Sequence, residues 1–215
     1  ALNKDGTGAY SLRIDMSGLL SDPMLKGMME ASEGDNKMQD ADTTIFFRDL
    51  PDSVIQDNPD LWKRVNMRVV SRQKEEKLYT IIHLDFRSVD EIAYFSENFE
   101  KVSQKFQTSP MGGGELPNEK GPSGLFAEGL NYTLQGKQLT RETSTAPNKE
   151  TDENFEMMKM FMGEATYRVK FTLPEKVERT TITNAVVDGN RVTVSASMVD
   201  LMDGKPLLDG SIWFK

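Results

Sequence analysis

Residues 167–215 alternate apolar and polar side chains more regularly than any other part of the chain. The apolar positions of the first alternating run are Tyr167, Val169, Phe171 and Leu173. The same alternation returns over 192–198. A period of two places every second side chain on the same face of a strand, so each strand has one buried and one solvated face. The pattern predicts three strands joined by turns in an antiparallel sheet with one face open to solvent.

The size and charge of the chain narrow the classes of protein to which it can belong. Its 215 residues suit one large domain or two small ones, and the connections are too short to favour two. A net charge of −8 and the absence of a basic run make a nucleic-acid partner unexpected, because polyanions bind clustered Lys and Arg. The absence of cysteine excludes disulfides and thiolate catalysis. No apolar run reaches about 18 residues, so we expect no membrane-spanning segment.

One long amphipathic helix is predicted over 88–106. Ser88 and Glu91 have the spacing of a capping box, in which each side chain bonds a free backbone N–H at the helix start. Apolar residues then recur every three or four positions and share one helix face. They are Val89, Ile92, Phe95, Phe99, Val102 and Phe106. We expect this helix, together with Met-rich helices over 17–31 and 154–162, to cover the buried face of the sheet.

Shorter patterns complete an α+β fold. They predict strands over 10–16 and 44–48, a short helix near 60–64, and hairpins that pair 65–71 with 78–86 and 125–134 with 137–143. Residues 108–124 are rich in Gly and Pro and are predicted to form a loop. We therefore expect a single α+β domain over 1–215. Its antiparallel sheet has one solvated face and is either continuous, split or strongly curved, with amphipathic helices on the other face.

The N-terminal residues predict a hairpin turn without room for its first strand. Asp5-Gly6 is a strong turn signal, and the alternating strand 10–16 follows it. Only a few residues precede the turn, so the strand expected to pair with 10–16 lacks its beginning. We therefore predict that a leader precedes Ala1 in the full-length protein.

His83 is the only histidine, and it shares a predicted strand face with Asp85. A carboxylate at this position can orient an imidazole that acts as a base or as a metal ligand. Because neither a Gly-x-Ser-x-Gly elbow nor a His-Glu-x-x-His motif accompanies the pair, we favour a solvated histidine beside an acid. A hydrolase that uses His83 and Asp85 stays an alternative. It requires a cleft with a third polar group within hydrogen-bond reach.

Two segments resemble loops that bind ions or phosphate. Residues 3–8 begin like a calcium loop, but the twelfth position is Ile14 instead of Glu, so we expect a plain hairpin turn. Residues 111–115 contain three glycines without the Lys-Ser or Lys-Thr of a phosphate cradle, which favours a flexible loop.

Asp200, Asp203 and Asp209 form a third group of interest near the C-terminus. Close carboxylates can hold a cation or serve as an acid and a base, but the Asp-Gly and the nearby proline at 203–206 are typical of a loop between strands. We favour the loop. The sequence therefore leads us to assign no catalytic, cofactor-binding or metal-binding residue and to expect no cofactor.

The chain has 13 methionines, and several lie close together. The densest group is Met157, Met158, Met160 and Met162, with Phe155 and Phe161 beside them. Methionine adapts to varied apolar ligands, so this helix could line a groove or form an exposed patch. An apolar helix in a sheet-and-helix protein is more often part of the core, which is the interpretation we favour.

The order of these patterns resembles that of uncharacterised small lipoproteins of the Bacteroidetes cell envelope. The resemblance rests on the turn Asp-Gly-Thr-Gly at 5–8, the run Ile-Ile-His-Leu-Asp-Phe-Arg-Ser-Val-Asp-Glu at 81–91, and the run Val-Val-Asp-Gly-Asn-Arg-Val-Thr-Val at 186–194. It covers nearly the whole chain as a pattern of strands and turns. It implies an exported protein that is anchored through a lipidated cysteine just upstream of Ala1.

These observations predict a non-catalytic lipoprotein domain of the cell envelope that faces the periplasm or the cell surface. Its expected partner is an envelope protein, a lipid or a glycan. The alternatives are the hydrolase based on His83 and Asp85, an adhesion or assembly subunit that adds a strand at an open sheet edge, and a lipid carrier with an apolar cavity of a few hundred Å³.

Overall fold

The computed structural model describes residues 1–15, 17–18, 40–107, 130–143, 159, 163, 165–203, 205 and 207–215. Several predicted features therefore lie outside the described residues. They are most of the Met-rich helices over 17–31 and 154–162, the loop over 108–124 with the glycine segment 111–115, and the first part of the hairpin strand 125–134.

The described part contains eleven strands and four helices, of which one is long. The strands are β1 (Gly8–Asp15), β2 (Ala41–Phe46), β3 (Val65–Arg72), β4 (Lys77–Phe86), β5 (Leu130–Gln135), β6 (Gln138–Thr143), β7 (Thr166–Thr172), β8 (Val177–Thr180), β9 (Val186–Asp188), β10 (Arg191–Ser197) and β11 (Gly210–Phe214). The helices are α1 (Asp52–Ile55), α2 (Pro59–Trp62), α3 (Asp90–Gln107) and α4 (Met198–Met202). Single 3-10 turns cover Phe47–Asp49 and Gln73–Glu75.

The described strands form two antiparallel sheets, so the fold is α+β with a split sheet. The large sheet has seven strands in the order β2-β3-β4-β1-β7-β10-β9, and the small sheet has four in the order β5-β6-β11-β8. The prediction of three strands in one sheet for 167–215 is wrong. This segment contains five strands and α4, and β8 and β11 belong to the small sheet. Alternation identifies a strand but not its neighbours, because pairing depends on segments far apart in sequence.

The buried faces of the two sheets pack against each other. Tyr132 of the small sheet packs edge-on against Tyr10 and Phe171 of the large sheet, with ring centroids 6.3 and 6.2 Å apart. Along β7 and β10, buried and more exposed residues alternate as predicted. Each of these strands therefore directs one side to the core and the other to solvent.

Helix α3 lies on the core-facing side of the large sheet, as predicted. Phe95 contacts Tyr10 of β1 and Trp62 of α2, with ring centroids 6.1 and 5.7 Å apart. The helix also packs against β5. Five apolar positions of the predicted helix face are buried: Val89, Ile92, Phe95, Phe99 and Val102. The 3.6-residue period therefore identified the buried helix face correctly.

The start of α3 differs from the predicted capping box. The carboxylate of Glu91 accepts a hydrogen bond from the backbone N–H of Arg87 at 2.7 Å and two from the guanidinium of Arg64 at 2.8 Å each. The helix begins at Asp90, two residues later than predicted. Burial by itself would raise the pKa of Glu91, but these bonds outweigh burial and hold the pKa below its ordinary value.

Strand β1 lies inside the large sheet with partners on both sides. It pairs with β4 over its whole length and with β7 only over 13–15. At the other end Leu2 fills the gap between β1 and β7, because its N–H donates to the carbonyl of Thr172 at 2.7 Å and it bridges Gly8. The strand that pairs with β1 over its whole length is therefore β4, which lies far along the chain.

The predicted hairpins and short strands are partly confirmed. β3 pairs with β4 and β5 pairs with β6, as expected for both hairpins. The predicted strand 44–48 is displaced, since β2 ends at Phe46 and a 3-10 turn follows. Phe47 in that turn is buried and stacks on Trp62 at 6.1 Å. Burying this large ring bends the chain away from the sheet.

A buried charge lies in the small sheet. Arg141 of β6 has a side chain that is 5% exposed and donates from Nη1 to Asp209 at 2.5 Å. Asp209 also accepts bonds from the backbone N–H and the hydroxyl of Thr143. Burial raises the pKa of nearby Tyr132 to about 12. The ion pair holds the start of β11 against the end of β6.

Candidate functional site

The side of the large sheet that faces away from the small sheet carries the most unusual arrangement of charge, and most of its side chains are exposed, although Val70 is buried. We call this side the open face, meaning the side chains of the large sheet that alternate with the buried ones. Its basic residues are Arg13, Arg68, Arg72, Lys77, Arg168, Lys170 and Arg191, and its acidic residues are Asp15, Asp42, Asp85 and Asp188. Basic residues outnumber acidic ones on this face, whereas the whole chain has a net charge of −8.

Four of these cations form what we call the basic patch: Arg13, Arg68, Arg168 and Lys170. Arg13 and Arg168 stand directly opposite each other on β1 and β7. Lys170 lies two residues along β7 from Arg168, which places it about 7 Å away on the same face. Arg13 and Arg68 both stand opposite Ile81, on the two sides of β4. Strand order thus brings together cations from three distant parts of the chain.

Arg13 is held in place by an acid and an aromatic ring. Its guanidinium lies 3.7 Å from the ring centroid of Tyr79 and donates to Asp15 at 2.7 and 3.1 Å. Asp15 also accepts bonds from Ser17. Burial by itself would raise the pKa of Asp15, but the bonds from Ser17 and Arg13 outweigh it and hold the pKa below its ordinary value. Both members of the pair are therefore charged at neutral pH.

Arg68 takes part in a second ion-pair group at the β2 side of the face. It donates from Nε and Nη2 to the two oxygens of Asp42, each at 2.8 Å. Arg72 donates to the same carboxylate at 3.0 Å. The hydrogen bonds from Arg68 lower the pKa of Asp42. Arg72 also pairs with Glu75, which in turn pairs with Lys77, so three cations share two acids in this group.

Arg168 and Lys170 differ from the other two cations because no acid pairs with them in the described part of the chain. Arg168 donates only from Nε, to the hydroxyl of Ser195 at 3.3 Å. Both side chains are exposed on β7. Like charges directly opposite each other in an antiparallel ladder repel, and here only Arg13 of the two arginines has an acidic partner, Asp15. The arrangement offers the terminal guanidinium nitrogens of Arg168 to an external anion.

His83 and Asp85 lie on the same open face, as predicted. His83 Nε2 lies 3.1 Å from an oxygen of Asp85, and the two side chains are 32% and 66% exposed. Ser11 and Asn66 stand opposite His83 on the neighbouring strands. Within the described part, neither makes a hydrogen bond to the imidazole, and His83 does not line either cavity described below. The conditions for a hydrolase site are therefore not met by these residues.

The three C-terminal aspartates do not form a joint site. Asp209 pairs with Arg141, Asp203 pairs with Lys159 at 2.6 Å, and Asp200 pairs with Lys205. Each acid thus has its own cation. Among the described residues, no group of three or more His, Cys, Asp or Glu side chains is arranged to hold a metal ion.

The segment 3–8 forms the predicted hairpin turn. Asn3 N–H donates to the carbonyl of Thr7 at 2.7 Å, and Thr7 in turn donates to Asp5 from its N–H and its hydroxyl. Gly6 adopts the left-handed conformation at φ 84°. Ile14, at the twelfth position of the supposed calcium loop, lies in the core. One carboxylate oxygen of Asp5, Oδ1, is therefore used within the turn.

Two cavities adjoin the N-terminal segment. One, of about 40 Å³, lies beneath Leu2, where β1 and β7 separate, and has walls that include Tyr10 and Phe171. It has room for a few water molecules and none for a lipid chain. The other is an open groove of about 370 Å³, whose walls combine the polar side chains of Asn3, Thr7 and Asp85 with apolar groups that include Phe86.

The basic patch is the feature that sequence patterns missed. Alternation placed Arg168 and Lys170 on the solvated face of their strand, but these residues were not connected with Arg13 and Arg68. The absence of a basic run in sequence suggested the absence of a basic surface. The sequence did contain a local indication of this basic surface, because arginines occupy the solvated positions of three predicted strands.

No described helix is long and apolar enough to cross a membrane. Comparison with known proteins adds no identity, since no family model, curated protein or solved structure matches the chain.

Proposed function

We propose that this chain is a non-catalytic binding domain of the bacterial cell envelope whose open face binds an anionic partner. The envelope location and an upstream lipid anchor rest on the sequence resemblance to Bacteroidetes lipoproteins. The binding role rests on one observation, the basic patch. It presents exposed cations on one face of a chain whose net charge is −8.

The energetics of the patch support a binding role. Arg13 stands directly opposite Arg168, where like charges repel, and the Asp15 carboxylate that binds Arg13 offsets only one of the two positive charges. A chain with more acids than bases could easily place an acid or a hydroxyl at position 168. Natural sequences break such local rules mainly at functional sites. An anion bound between the two arginines would remove the repulsion.

The other candidate functions have less support from the described residues. The hydrolase needs a cleft around His83, and this side chain lies on an open sheet face. The lipid carrier needs an enclosed apolar cavity of a few hundred Å³, whereas the cavity beneath Leu2 measures about 40 Å³ and the groove of about 370 Å³ is open to solvent.

Strand addition is a second candidate because, among the described residues, no strand pairs with the outer side of β2. It has six residues, forms the end of the large sheet, and exposes Thr43, Thr44 and Phe46. The strand at the opposite edge, β9, has only three residues and therefore offers few backbone groups to an added strand. Size-exclusion chromatography with light scattering tests this function: assembly at high concentration that Thr44→Lys abolishes supports it, and a monomer at all concentrations counts against it.

Binding to immobilised polyanions tests the main proposal. The probes are polygalacturonate, poly-L-glutamate and vesicles of phosphatidylcholine with phosphatidylglycerol. We expect the chain to bind at least one of them at low ionic strength, with an affinity that falls as salt shortens the screening length to about 10 Å at 0.1 M. The double variant Arg13→Ser with Arg168→Ser should bind at least tenfold more weakly, as expected from the loss of charged hydrogen bonds worth about 1.5–3 kcal/mol each.

A matched control comes from the small sheet. Arg179 stacks on Trp213, with its guanidinium 3.9 Å from the ring centroid, much as Arg13 stacks on Tyr79. Arg179→Ser removes a stacked arginine away from the open face and should leave binding unchanged. Absence of binding to every probe, or equal losses in the double variant and in Arg179→Ser, would refute the proposal.

The lipid anchor has its own test in the full-length protein. We expect the protein to incorporate a labelled fatty acid in the cell that produces it and to fractionate with the envelope. A protein that takes up no label and stays in the cytosolic fraction contradicts the envelope assignment but leaves the binding role untouched.

A further inference from the structure

The open face carries hydroxyl groups interleaved with the basic patch. Ser195 stands directly opposite Arg168, and Thr193 stands directly opposite Lys170. Ser11 lies two residues from Arg13 on the same face of β1. Directly opposed residues have Cβ atoms about 5 Å apart. Each cation of β7 therefore has a hydroxyl neighbour that both donates and accepts hydrogen bonds.

The alternation of cation and hydroxyl is a chemical pattern that selects among anions. A uronic acid residue presents a carboxylate together with several hydroxyls a few Å away. Arg168 can bind a carboxylate through Nη1 and Nη2, because only its Nε is engaged in the described structure, at Ser195. The hydroxyls of Ser195 and Thr193 can then bond sugar hydroxyls beside that carboxylate.

Other anionic partners match this surface less well. An acidic peptide offers carboxylates on apolar stems and has few hydroxyls for Ser195 and Thr193 to bond. A lipid bilayer favours a face on which apolar side chains protrude between the cations. Among the described residues, the large apolar side chains that are exposed are Phe46, Val186 and Val187, all on the edge strands β2 and β9. Ile81, which lies between Arg13 and Arg68, is partly buried.

We propose that the anionic partner is an acidic polysaccharide whose uronate carboxylates bind the basic patch and whose hydroxyls bond the Ser and Thr of β10. This inference rests on the proposed function of the open face and names the chemical class of its ligand. The cations span neighbouring strands about 5 Å apart and positions about 7 Å apart along β7, which suits an extended chain with repeated charges.

The test uses three matched probes in calorimetry and biosensor experiments with the whole chain. Polygalacturonate carries charge and hydroxyls, its methyl ester carries hydroxyls without charge, and poly-L-glutamate carries charge without hydroxyls. We expect polygalacturonate to bind at least tenfold more tightly than the other two. Arg168→Gln should weaken polygalacturonate binding about tenfold, as expected for the loss of a bidentate hydrogen bond between a guanidinium and a carboxylate.

A second variant separates sugar recognition from simple charge. The double substitution Thr193→Val with Ser195→Ala keeps every cation and removes two neutral hydroxyls. It should weaken polygalacturonate binding about fivefold and leave poly-L-glutamate binding unchanged. Circular dichroism and the urea midpoint check that both variants fold like the parent chain.

The outcomes separate this inference from the proposed function. Equal binding of polygalacturonate and poly-L-glutamate, with no effect of the hydroxyl substitutions, overturns the polysaccharide inference and leaves the anionic binding face. Binding to anionic vesicles alone does the same. Failure to bind any polyanion at low salt overturns both.

Discussion

The ion pair between Arg141 and Asp209 should be the most sensitive polar contact in the described core. Arg141 is 5% exposed in its side chain, and Asp209 is 23% exposed. Asp209→Ala removes the counter-charge at 2.5 Å and also removes the acceptor for the N–H and hydroxyl of Thr143. Arg141 Nε already has no hydrogen-bond partner, so the guanidinium would be left buried with little compensation.

The expected loss is large because a buried charge without its partner costs about 3–5 kcal/mol. This is a substantial part of the about 5–15 kcal/mol by which a domain is stable. Asp209→Asn keeps one oxygen acceptor and should lose about half as much. The double variant Arg141→Met with Asp209→Leu should recover most of the loss, since an apolar pair of similar volume often replaces a buried ion pair without cost.

Urea unfolding followed by circular dichroism measures these differences. With a slope of about 2 kcal/mol per molar urea, Asp209→Ala should lower the midpoint by about 2 M. Asp60 provides a control, because its ion pair with Arg87 is exposed on both sides at 66% and 64%. Asp60→Ala should change the midpoint little. If Asp209→Ala changed the urea midpoint as little as Asp60→Ala does, the buried ion pair would not be what holds the small sheet together.

Three further predictions concern other parts of the fold. Arg168→Thr should leave stability unchanged or raise it by about 0.5 kcal/mol, because it removes the repulsion from Arg13; a loss above about 1 kcal/mol in urea unfolding contradicts this. Folding lowers the pKa of Glu91. Its contribution to the free energy of unfolding is therefore fully present above its ordinary pKa of 4.5 and is lost as the pH falls through the pKa of the folded state. Glu91→Gln should therefore reduce the loss of stability at acidic pH, as measured by urea unfolding at several pH values. Gly8→Ala should destabilise the chain by about 1–3 kcal/mol, because an added Cβ would lie 2.0 Å from the Ala1 carbonyl oxygen and 2.5 Å from Phe86 Cζ; wild-type stability would show that residues 1–2 do not pack between β1 and β7.

Local patterns predicted the elements and their buried faces well. The period of 3.6 identified the buried side of α3, and the period of two identified the core-facing residues of β7 and β10. The failures have specific physical causes. At the start of α3, Glu91 bonds the backbone N–H of Arg87 and the guanidinium of Arg64, a residue 27 positions away, instead of the N–H of Ser88 that a capping box requires. The end of β2 moved because Phe47 turns into the core.

The candidate site depended on information that no local pattern contains. Arg13, Arg68 and Arg168 each occupied a solvated position in a predicted strand, and each looked like an ordinary surface cation. They form a patch only because β1 lies between β4 and β7, while β3 pairs with the far side of β4. A chain with no basic run can therefore carry a basic surface.

The sequence by itself determined which residues face the core, because alternation of apolar and polar residues is a property of neighbours along the chain. It thereby determined the α+β class and the existence of one solvated sheet face. Only the tertiary structure decided which strands are adjacent, that the sheet divides into two, and that cations from three distant segments meet. Strand order is set by the packing of whole faces against each other, and residues far apart in sequence contribute to that packing jointly.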